Sequence, residues 1–565
     1  MNYTIDFESE KEHIKQLFER FHSDELPPIF PEIKMENIVR VLKNIQSNPS
    51  SYQYFVSTPN SLLNLITFNR NNHPCSPYSN SASKGFEPLH FFTFKNNNSL
   101  RELSDVNVIG YLSFVYNTLV MTMPFFENTY LSNHLLDCSL SRIFADETYY
   151  EQTIYGEWEE QLRNQFVNQF NFSNKQEKEL EAERKSLYVM HLDVSNFYGS
   201  IYSHFLEREG KTETFSICED KELYFKFLDT YSMYINSSET KGIPTGPFSS
   251  RIISELLMCN VDMELLKNID KNIFYLRNVD DMSFFARDIE SLYRAKNDVE
   301  KVLFKFKLST SDTKTKITKC INDYTEENTK TRDLVVNILF ENKEEIIDSA
   351  CIANFKEEIS KLIASNSKPI LKSIFTKIYF LIEKDVEKVA YLQNIDFFSL
   401  LFRLILFEPF LASRSFKVID AILKQSSEIF VNDVLAIIES FLDLIDDKFH
   451  DTIIQVWSYY LIQKYGSNEK RNSLFDKYNK LSDKNPILML ALISRDGAKN
   501  EAIYTEILSQ YNSIDGTNNA VIPEKAFNSC YSMLLIKMCV EDSSFSNRIN
   551  SQIPFIVKDL FDGEL

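Results

Sequence analysis

Three short segments combine carboxylates with glycines in an order that could hold divalent cations. The first, residues 192–198, places an aspartate directly after an apolar stretch. The second, residues 242–251, contains two glycines, and the third, residues 277–282, contains the pair Asp280 and Asp281. An isolated aspartate pair is usually a solvated turn, so the prediction depends on the conjunction of all three segments.

Carboxylates in this arrangement suit phosphoryl transfer assisted by two metal ions. Two divalent ions about 4 Å apart can hold a nucleoside triphosphate in line with an attacking hydroxyl. Mg²⁺ prefers oxygen ligands and typically takes one or two carboxylates together with substrate phosphates. We therefore predict that Asp193, Asp280 and Asp281 are catalytic and bind Mg²⁺ or Mn²⁺. The backbone carbonyl of Val194 is a candidate for a further oxygen ligand.

Local patterns predict that strands and a tight hairpin bring these carboxylates together. Residues 187–192 alternate as a buried strand does, and this strand would carry Asp193 to the edge of a sheet. Residues 274–276 and 283–286 flank the aspartate pair and are predicted to form the two strands of one hairpin. The carboxylates would then meet on adjacent strands.

Glycine use supports a functional turn in the second segment. The chain has only 11 glycines in 565 residues, far below the roughly 7% that is ordinary. Two of them, Gly242 and Gly246, stand close together before a predicted helix. A chain so sparing of glycine is expected to place them where the backbone turns tightly or approaches a ligand.

The three segments resemble the palm motifs of reverse transcriptases, most closely those of the abortive-infection (AbiK-like) bacterial family. The matching residues read Leu-Asp-Val-Ser-Asn-Phe-Tyr, Gly-Ile-Pro-Thr-Gly-Pro-Phe-Ser-Ser-Arg and Arg-Asn-Val-Asp-Asp. The resemblance is specific over about residues 187–320, and residues 312–316 are similar to a fourth palm motif. It implies an α+β fold, with reverse-transcriptase-like fingers and palm followed by an all-α, HEAT-like helical domain.

The resemblance also implies roles for residues around the carboxylates. Lys314 would be catalytic and donate a proton or charge to the leaving pyrophosphate. Tyr198 would lie beneath the incoming sugar, where its ring excludes a 2′-hydroxyl and selects deoxynucleotides. The other nucleotide-binding residues would be two cations of the fingers and three residues of the glycine turn and its helix: Lys95, Arg101, Gly246, Ser250 and Arg251.

These single residues also have purely structural interpretations. Tyr198 could instead be a plain aromatic residue of the core. Lys314, Lys95 and Arg101 fit solvated surface charges. The roles implied by the resemblance are therefore hypotheses about each side chain.

Two positions depart from the pattern of general reverse transcriptases. Thr245 stands where those enzymes have a glutamine that contacts nucleotide and template, and Asn278 replaces a tyrosine that borders the primer terminus. Both replacements argue against ordinary templated copying. Together with the resemblance, they predict a DNA polymerase that adds dNTPs in a protein-primed, template-independent reaction during abortive-infection antiphage defence. Its single-stranded DNA product would be covalently attached to the protein.

Two other functions remain open. The chain could be a conventional RNA-templated reverse transcriptase, which Thr245 and Asn278 disfavour. It could also be a helical scaffold or partner-binding protein with a remnant palm. The three intact aspartates argue against a remnant, because an inactive palm has no reason to keep mutually repelling carboxylates together.

The net charge of −19 opposes a generic attraction to nucleic acid. A bound strand would therefore need a local basic strip. Candidate residues are lysines interleaved with Phe304 and Phe306: Lys301, Lys305, Lys307, Lys314, Lys316 and Lys319. The same lysines also fit the exposed face of a helix and the loop that follows it.

The length of the chain implies more than one core. We predict a reverse-transcriptase-like region at 1–320, loop-rich at 46–83, and a helical HEAT-like domain at 321–565. One helix over 434–445 is expected behind an N-cap at Asn432 and Asp433. Further amphipathic helices are expected at 397–407, 416–423, 453–464 and 486–493.

Cysteine use and hydropathy predict a cytoplasmic protein. The eight cysteines include no Cys-x-x-Cys pair, which argues against a zinc site or a disulfide framework. A polar N-terminus argues against a secretory signal, and no apolar run is long enough for a membrane span. We also expect a homo-oligomer.

Overall fold

A computed structural model gives the architecture of most of the chain. It describes residues 6–8, 11–19, 21–47, 85–125, 138–141, 172–209, 221–322, 329–340, 346–385, 387–515, 521–522, 524–549 and 555–561. The predicted loop-rich segment at 46–83 lies almost wholly outside the described residues, so its structure is not discussed.

A four-stranded antiparallel sheet forms the centre of the first half of the chain. Its spatial order is β4-β5-β3-β6. The bounds are β3 Tyr188–Asp193, β4 Phe274–Asn278, β5 Asp281–Ala286 and β6 Lys316–Lys319. The predicted strand and hairpin are confirmed. Because β3 lies between β5 and β6, Asp193 stands at the end of a central strand and not on an edge strand.

Nine described helices belong to the part of the chain that precedes the last strand of this sheet. They are α1 Lys11–Glu19, α2 Met35–Ser47, α3 Val108–Phe125, α4 Phe172–Glu183, α5 Phe197–Ser200, α6 His204–Glu209, α7 Lys221–Tyr234, α8 Phe248–Asn268 and α9 Ile289–Lys305. Helix α8 follows the glycine segment, as predicted, and most of its side chains are buried.

Helix α9 shows how the sequence determines local structure and burial. Asp288 caps its N-terminus, because Asp288 Oδ1 accepts a hydrogen bond from Ser291 N at 2.8 Å. Apolar residues recur every three or four positions and form the buried face: Leu292, Ala295, Val299, Val302 and Leu303. This face packs against β3 and β5, below the aspartates.

A separate two-stranded hairpin, here called the fingers hairpin, lies in the region predicted to contain the fingers. Its strands are β1 Leu89–Phe94 and β2 Leu100–Asp105. They pair antiparallel from Leu89 opposite Asp105 to Phe94 opposite Leu100. Asn98 takes a φ of 62° in the connecting turn, a left-handed conformation that Asn tolerates better than most residues.

This fingers hairpin is attached to the helical region. Phe92 N donates a hydrogen bond to Asp451 O at 3.1 Å. At the turn, Asn98 Nδ2 donates to Glu408 Oε2 at 3.1 Å. The helices beyond the palm therefore hold both the strand and the tip of the hairpin.

Beyond β6 the described chain is helical. After a short 3₁₀ turn at Cys320–Asn322, the helices are α10 Thr329–Phe340, α11 Ser349–Ala364, α12 Lys368–Lys384, α13 Glu387–Tyr391, α14 Ile395–Phe407, α15 Ala412–Leu423, α16 Glu428–Ser440, α17 Leu442–Lys448, α18 Ile453–Tyr465, α19 Asn468–Asn479, α20 Pro486–Leu492, α21 Gly497–Asp515, α22 Ser532–Glu541, α23 Ser543–Ile549 and α24 Phe555–Leu560. Short 3₁₀ turns lie at Pro409–Leu411 and Glu524–Asn528. The four helices predicted between 397 and 493 are confirmed as α14, α15, α18 and α20.

One helix prediction is wrong. Asn432 and Asp433 do not form the N-cap, because the helix begins earlier at Glu428. The side chain of Ser427 supplies the cap by accepting a hydrogen bond from Phe430 N at 3.4 Å. The predicted single helix also ends at Ser440, and α17 begins only after a break at Phe441.

The two halves share one apolar core. Buried side chains connect the palm helices with the helical region and with both ends of the described chain. Asn37 Nδ2 and Arg40 Nη2 of α2 donate hydrogen bonds to Leu560 O and Asp559 O of the C-terminal part, at 3.0 and 2.8 Å. None of the described helices is sufficiently long and apolar to cross a membrane.

Candidate active site

Three carboxylates converge where the central strands of the sheet end. Asp193 is the last residue of β3 and Asp281 the first of β5, and the two residues are paired across the ladder. Asp280 lies in the turn between β4 and β5, where its carbonyl accepts a hydrogen bond from Val194 N at 3.3 Å. The fold thus brings together the aspartates that the sequence singled out, while metal ligation by Val194 O stays a prediction.

The electrostatics of this cluster fit a site for a divalent cation. Partial burial, together with repulsion from Asp280 and Asp193, raises the pKa of Asp281 to about 6. Burial and repulsion from Asp193 also raise the pKa of Asp280. A bound cation would relieve this repulsion, and carboxylate oxygens are the ligands that Mg²⁺ prefers.

Lys314 lies beside the carboxylates. Its Nζ is 2.8 Å from Asp193 Oδ2, and its side chain is 65% exposed. A cavity of about 320 Å³ opens next to this ion pair, and its lining includes Asp281 and Asn278. An ammonium at this place can stabilise negative charge that develops on a phosphate, so the predicted role of Lys314 is compatible with its position.

The turn that carries Asp280 has a strained backbone. Val279 has a φ of 60°, in a region that a β-branched residue rarely adopts. Hydrogen bonds hold both sides of this residue. Val279 N donates to Ser141 Oγ at 2.9 Å, and Val279 O accepts from Arg277 Nη1 at 2.9 Å.

Arg277 is the centre of a fully buried polar network beneath this turn. Its Nη2 lies 2.7 Å from Asp262 Oδ2 and 2.8 Å from Glu255 Oε1, both on α8. Ser139 Oγ and Ser141 Oγ each donate to Glu255 at 2.8 Å. Burial alone would lower the pKa of Arg277, yet the two carboxylates raise it well above its ordinary value. The network therefore ties the turn to α8 and to residues 138–141.

Sequence reasoning missed this network. Its visible signal was a charged residue, Arg277, inside an otherwise apolar strand. A second signal was the pair Glu255 and Asp262, which stand seven residues apart and so share a face of the largely apolar α8. Only the fold shows that these three charges compensate one another.

The glycine turn packs against the fingers hairpin. Gly242 and Gly246 have φ values of 86° and 125°, which confirms that the backbone here needs glycine. A Cβ atom on Gly246 would stand 3.0 Å from Ser104 O. Ser104 N donates a hydrogen bond to Thr245 O at 2.7 Å. The glycine turn and the fingers hairpin therefore meet at Thr245, the residue that stands where general reverse transcriptases have a glutamine.

Two of the residues predicted to bind nucleotide, Ser250 and Arg251, lie on the first turn of α8. Ser250 is buried, and its Oγ has no hydrogen-bond partner within the described chain. Arg251 lies near enough to Asp280 to oppose the rise in its pKa. Nucleotide binding by Ser250, Arg251 and Gly246 stays a prediction.

Tyr198 is half-buried beside this helix. Ser254 Oγ donates a hydrogen bond to Tyr198 OH at 3.4 Å, and the ring of Phe197 packs edge-on at 5.5 Å between centroids. Tyr198 O also accepts a hydrogen bond from Ile243 N at 3.0 Å, which joins it to the glycine turn. Phe197 and Ser254 thus hold the ring, while the backbone of Tyr198 is joined to the glycine turn.

Replacing Tyr198 with Val should increase the use of ribonucleotides. The smaller side chain removes the volume that would exclude a 2′-hydroxyl, so we expect the preference for dNTPs over NTPs to fall by about tenfold or more. Incorporation of labelled dCTP and CTP by wild type and variant measures this preference. Tyr198→Phe is the matched control, because it keeps the ring and should keep the preference. An unchanged preference in Tyr198→Val would assign the discrimination to another residue.

Lys95 and Arg101 lie on the fingers hairpin. Lys95 N donates a hydrogen bond to Ser99 O at 2.9 Å in the turn. Arg101 is on β2 and is paired with Thr93 of β1. Both side chains are exposed. Neither forms an ion pair with a carboxylate of the described chain, and their contact with a nucleotide stays a prediction.

The basic strip predicted from the sequence is partly neutralised. Lys305 Nζ lies 2.9 Å from Glu264 Oε2, and Lys301 Nζ lies 3.2 Å from Asp298 Oδ1. Lys314 pairs with Asp193, as described above. A strand of nucleic acid would therefore meet fewer available cations here than the sequence indicates.

A family model described as "Reverse transcriptase (RNA-dependent DNA polymerase)" matches residues 150–346. This range contains the three aspartates, the glycine turn and the three charged residues of the buried network, Glu255, Asp262 and Arg277, but not Ser139 and Ser141. The match shows a reverse-transcriptase nucleotidyltransferase domain in this part of the chain, which contains the carboxylate cluster.

Three solved telomerase structures are distantly similar. Telomerase of Candida albicans with a TWJ fragment of telomeric RNA is 10% identical, with a TM-score of 0.27 over 64% of this chain and 64% of that chain. Telomerase of Candida tropicalis with such a fragment is 11% identical, with a TM-score of 0.29 over 66% and 64%. Its apo form is 11% identical, with a TM-score of 0.28 over 67% and 70%. The chain thus spans less than two thirds of the length of the first two telomerase chains. We draw nothing about activity or partners from these structures. None of the curated proteins matches the chain.

Proposed function

We propose that this chain is a DNA polymerase that adds deoxynucleotides to a hydroxyl group of its own polypeptide without copying a template. The observation that carries the proposal is the combination of an intact carboxylate cluster with Thr245 and Asn278 at the template and primer positions. The reverse-transcriptase domain supports the polymerase activity, and the two replacements support the unusual mode of priming.

In this proposal, different residues around the carboxylate cluster bind the cations, stabilise the leaving group and position the turn. Asp193, Asp280 and Asp281 would hold divalent cations, preferably Mg²⁺, which supply the charge that neutralises the triphosphate and lowers the pKa of the attacking hydroxyl. Lys314 would place its ammonium near the leaving pyrophosphate. Arg277 does not reach the substrate; it positions the turn that bears two of the three carboxylates.

The position of Asn278 explains how a primer contact would be lost. Asn278 is paired with Asp281 in the hairpin, so its side chain belongs to the immediate surroundings of the carboxylates. An amide offers hydrogen bonds but far less apolar surface than the tyrosine ring it replaces. A long primer-template duplex would therefore find weaker support beside the site.

A tyrosine is the acceptor that suits protein priming best. Its phenol ionises more readily than an alkyl hydroxyl and can be oriented as a nucleophile. Burial raises the pKa of Tyr224 and Tyr231, which makes these phenols poor acceptors. Of the described tyrosines, Tyr202 and Tyr293 are the most exposed, at 38% and 57%. Tyr202 forms a bridge with Lys241 beside the glycine turn, so it is the first acceptor to test.

We propose, from the resemblance to the abortive-infection family, that this reaction serves in defence against phage. The resemblance also suggests that the helical region has a HEAT-like arrangement. The shared apolar core and the contacts to the fingers hairpin support a helical region that acts together with the palm.

Protein priming predicts that radioactive dNTP becomes covalently bound to the polypeptide. Purified protein would be incubated with Mg²⁺ and one labelled dNTP at a time, denatured, and separated by gel electrophoresis. We expect label to stay on the polypeptide, and nuclease digestion to reduce it to one nucleotide-bearing peptide that mass spectrometry can identify. Tyr202→Phe, compared with Tyr293→Phe, tests the first acceptor.

Omitting nucleic acid provides the decisive control for this experiment. The reaction should proceed without any primer or template. If all product separates from the denatured protein, or forms only after primer and template are added, protein priming is excluded.

A conventional RNA-templated reverse transcriptase is the second candidate. The description of the matching family model, an RNA-dependent DNA polymerase, favours it. The same assay with an annealed RNA template and DNA primer would show template-directed choice of nucleotide in that case.

A further inference from the structure

Contacts to a shared ring, a shared carboxylate and electrostatic effects connect five cations from two parts of the chain. Four are on packed helices α12 and α15 and one is on β2: Lys368, Lys372, Arg414, Lys417 and Arg101. We call this group the cation cluster. It lies outside the carboxylate site and was not indicated by the motifs in the sequence.

Contacts to one aromatic ring place the two lysines of α12 together. Lys368 Nζ and Lys372 Nζ lie 5.1 and 5.8 Å from the centroid of the Phe410 ring. Four residues of helix separate them, which corresponds to a rise of about 6 Å. The two ammonium groups therefore form a short row along α12.

The two cations of α15 share one carboxylate oxygen. Arg414 Nη2 lies 3.2 Å and Lys417 Nζ 3.9 Å from Asp24 Oδ2, in the loop between α1 and α2. The Asp24 side chain is 70% exposed. A single oxygen held between an arginine and a lysine resembles the way proteins bind a phosphate oxygen.

Lys372 contacts the Phe410 ring and is also affected electrostatically by Arg414 of α15. It forms no ion pair with any described residue, although its side chain is only partly exposed. Burial lowers its pKa, and Arg414 and Arg101 lower it further, while Glu25 and Asp24 act in the opposite direction. An ammonium in such surroundings gains from an added anion, because burying an uncompensated charge is costly.

We propose that the cation cluster binds the phosphodiester backbone of a single strand of nucleic acid. This inference rests on the proposed polymerase function, since the strand would be the product or another strand that leaves or enters the active site. Cations spaced along two helices suit a series of phosphates better than one compact triphosphate.

An exposed aromatic residue supports a single strand as the ligand. Phe407 is 76% exposed, and the next residue, Glu408, has its Oε2 3.3 Å from Lys368 Nζ. Proteins that bind single strands combine a positive groove with aromatic faces on which bases stack. Arg101 links this surface to the active site, because the same strand β2 contacts the glycine turn through Ser104.

Fluorescence anisotropy with fluorescein-labelled oligo(dT) of 20 nucleotides tests the proposal without catalysis. The full chain would be titrated in EDTA, without dNTP, at several salt concentrations. For Lys372→Ala we expect about tenfold weaker binding. The slope of log K against log salt should become shallower by about 0.7. Lys356→Ala, which removes an exposed lysine of α11, should change neither quantity.

The Asp24→Asn variant tests the proposal in the opposite direction, because its affinity for oligo(dT) should increase. Removing this carboxylate frees Arg414 and Lys417 for phosphate, so the variant should bind oligo(dT) more tightly than wild type. If the cation cluster had a purely structural role, this variant would not bind oligo(dT) more tightly than wild type. Thermal unfolding of each variant shows that the fold is retained.

The outcomes separate this inference from the proposed function. Asp193→Ala should bind oligo(dT) as wild type does, even though it is inactive. Equal binding by Lys372→Ala and Lys356→Ala would overturn the inference, whatever their activity. A higher KM for dNTP in Lys372→Ala with unchanged oligo(dT) binding would also overturn it, because the cluster would then bind the triphosphate.

Discussion

Replacement of Asp193 or Asp280 by Ala should reduce nucleotide incorporation by about a thousandfold or more while the protein remains folded. Each change removes an oxygen ligand and a negative charge from the cation site at the end of the central strands. Together with burial, repulsion from Asp193 raises the pKa of Asp280, and repulsion from both raises the pKa of Asp281, so the metal-free protein should lose no stability when Asp193 or Asp280 is removed. Asp281→Ala should be severely impaired as well.

The measurement is incorporation of labelled dNTP at saturating Mg²⁺, together with thermal unfolding in EDTA. Asp443→Ala is the matched control, because the Asp443 side chain is 90% exposed and lies in the helical region. Wild-type activity is expected from this control. Near-normal polymerisation by Asp193→Ala or Asp280→Ala would refute the assignment of the active site.

Replacement of Arg277 by Met should destabilise the protein by about 3–5 kcal/mol. The change leaves Glu255 and Asp262 buried without a compensating charge, and it removes the hydrogen bond to Val279 O. The strained turn would relax and displace Asp280 and Asp281. We therefore expect a lower midpoint in urea and a lower kcat in the protein that remains folded.

Two further variants separate charge compensation from a general effect of losing an arginine. Arg403→Met removes an exposed arginine of α14 and should change the unfolding free energy by less than about 0.5 kcal/mol. The triple variant Glu255→Gln, Asp262→Asn, Arg277→Met should recover part of the lost stability, because no buried charge is left unpaired. A triple variant no more stable than Arg277→Met would show that charge compensation is not the cause.

The sequence predicted the strand, hairpin and glycine turn that bring the candidate site together, because their signals are local. Asp193 follows an apolar alternating stretch, and the aspartate pair stands between two short apolar segments that form a hairpin. Gly242 and Gly246 stand out in a chain poor in glycine, and their positive φ values confirm the need for them. The error at Asn432 and Asp433 has the same local origin, since Ser427 is an equally good cap one turn earlier.

The sequence by itself determined the residues that can perform chemistry and the elements that carry them, because strand alternation, helix periodicity and glycine conformation depend on neighbours along the chain. Only the tertiary structure decided which distant charges interact. Glu255 and Asp262 compensate Arg277 because α8 packs beneath the hairpin. Arg414 and Arg101 act electrostatically on Lys372 because the fold brings parts of α12, α15 and β2 near one another. Electrostatic interactions depend on distance in space and on burial, and neither quantity can be read from the order of residues.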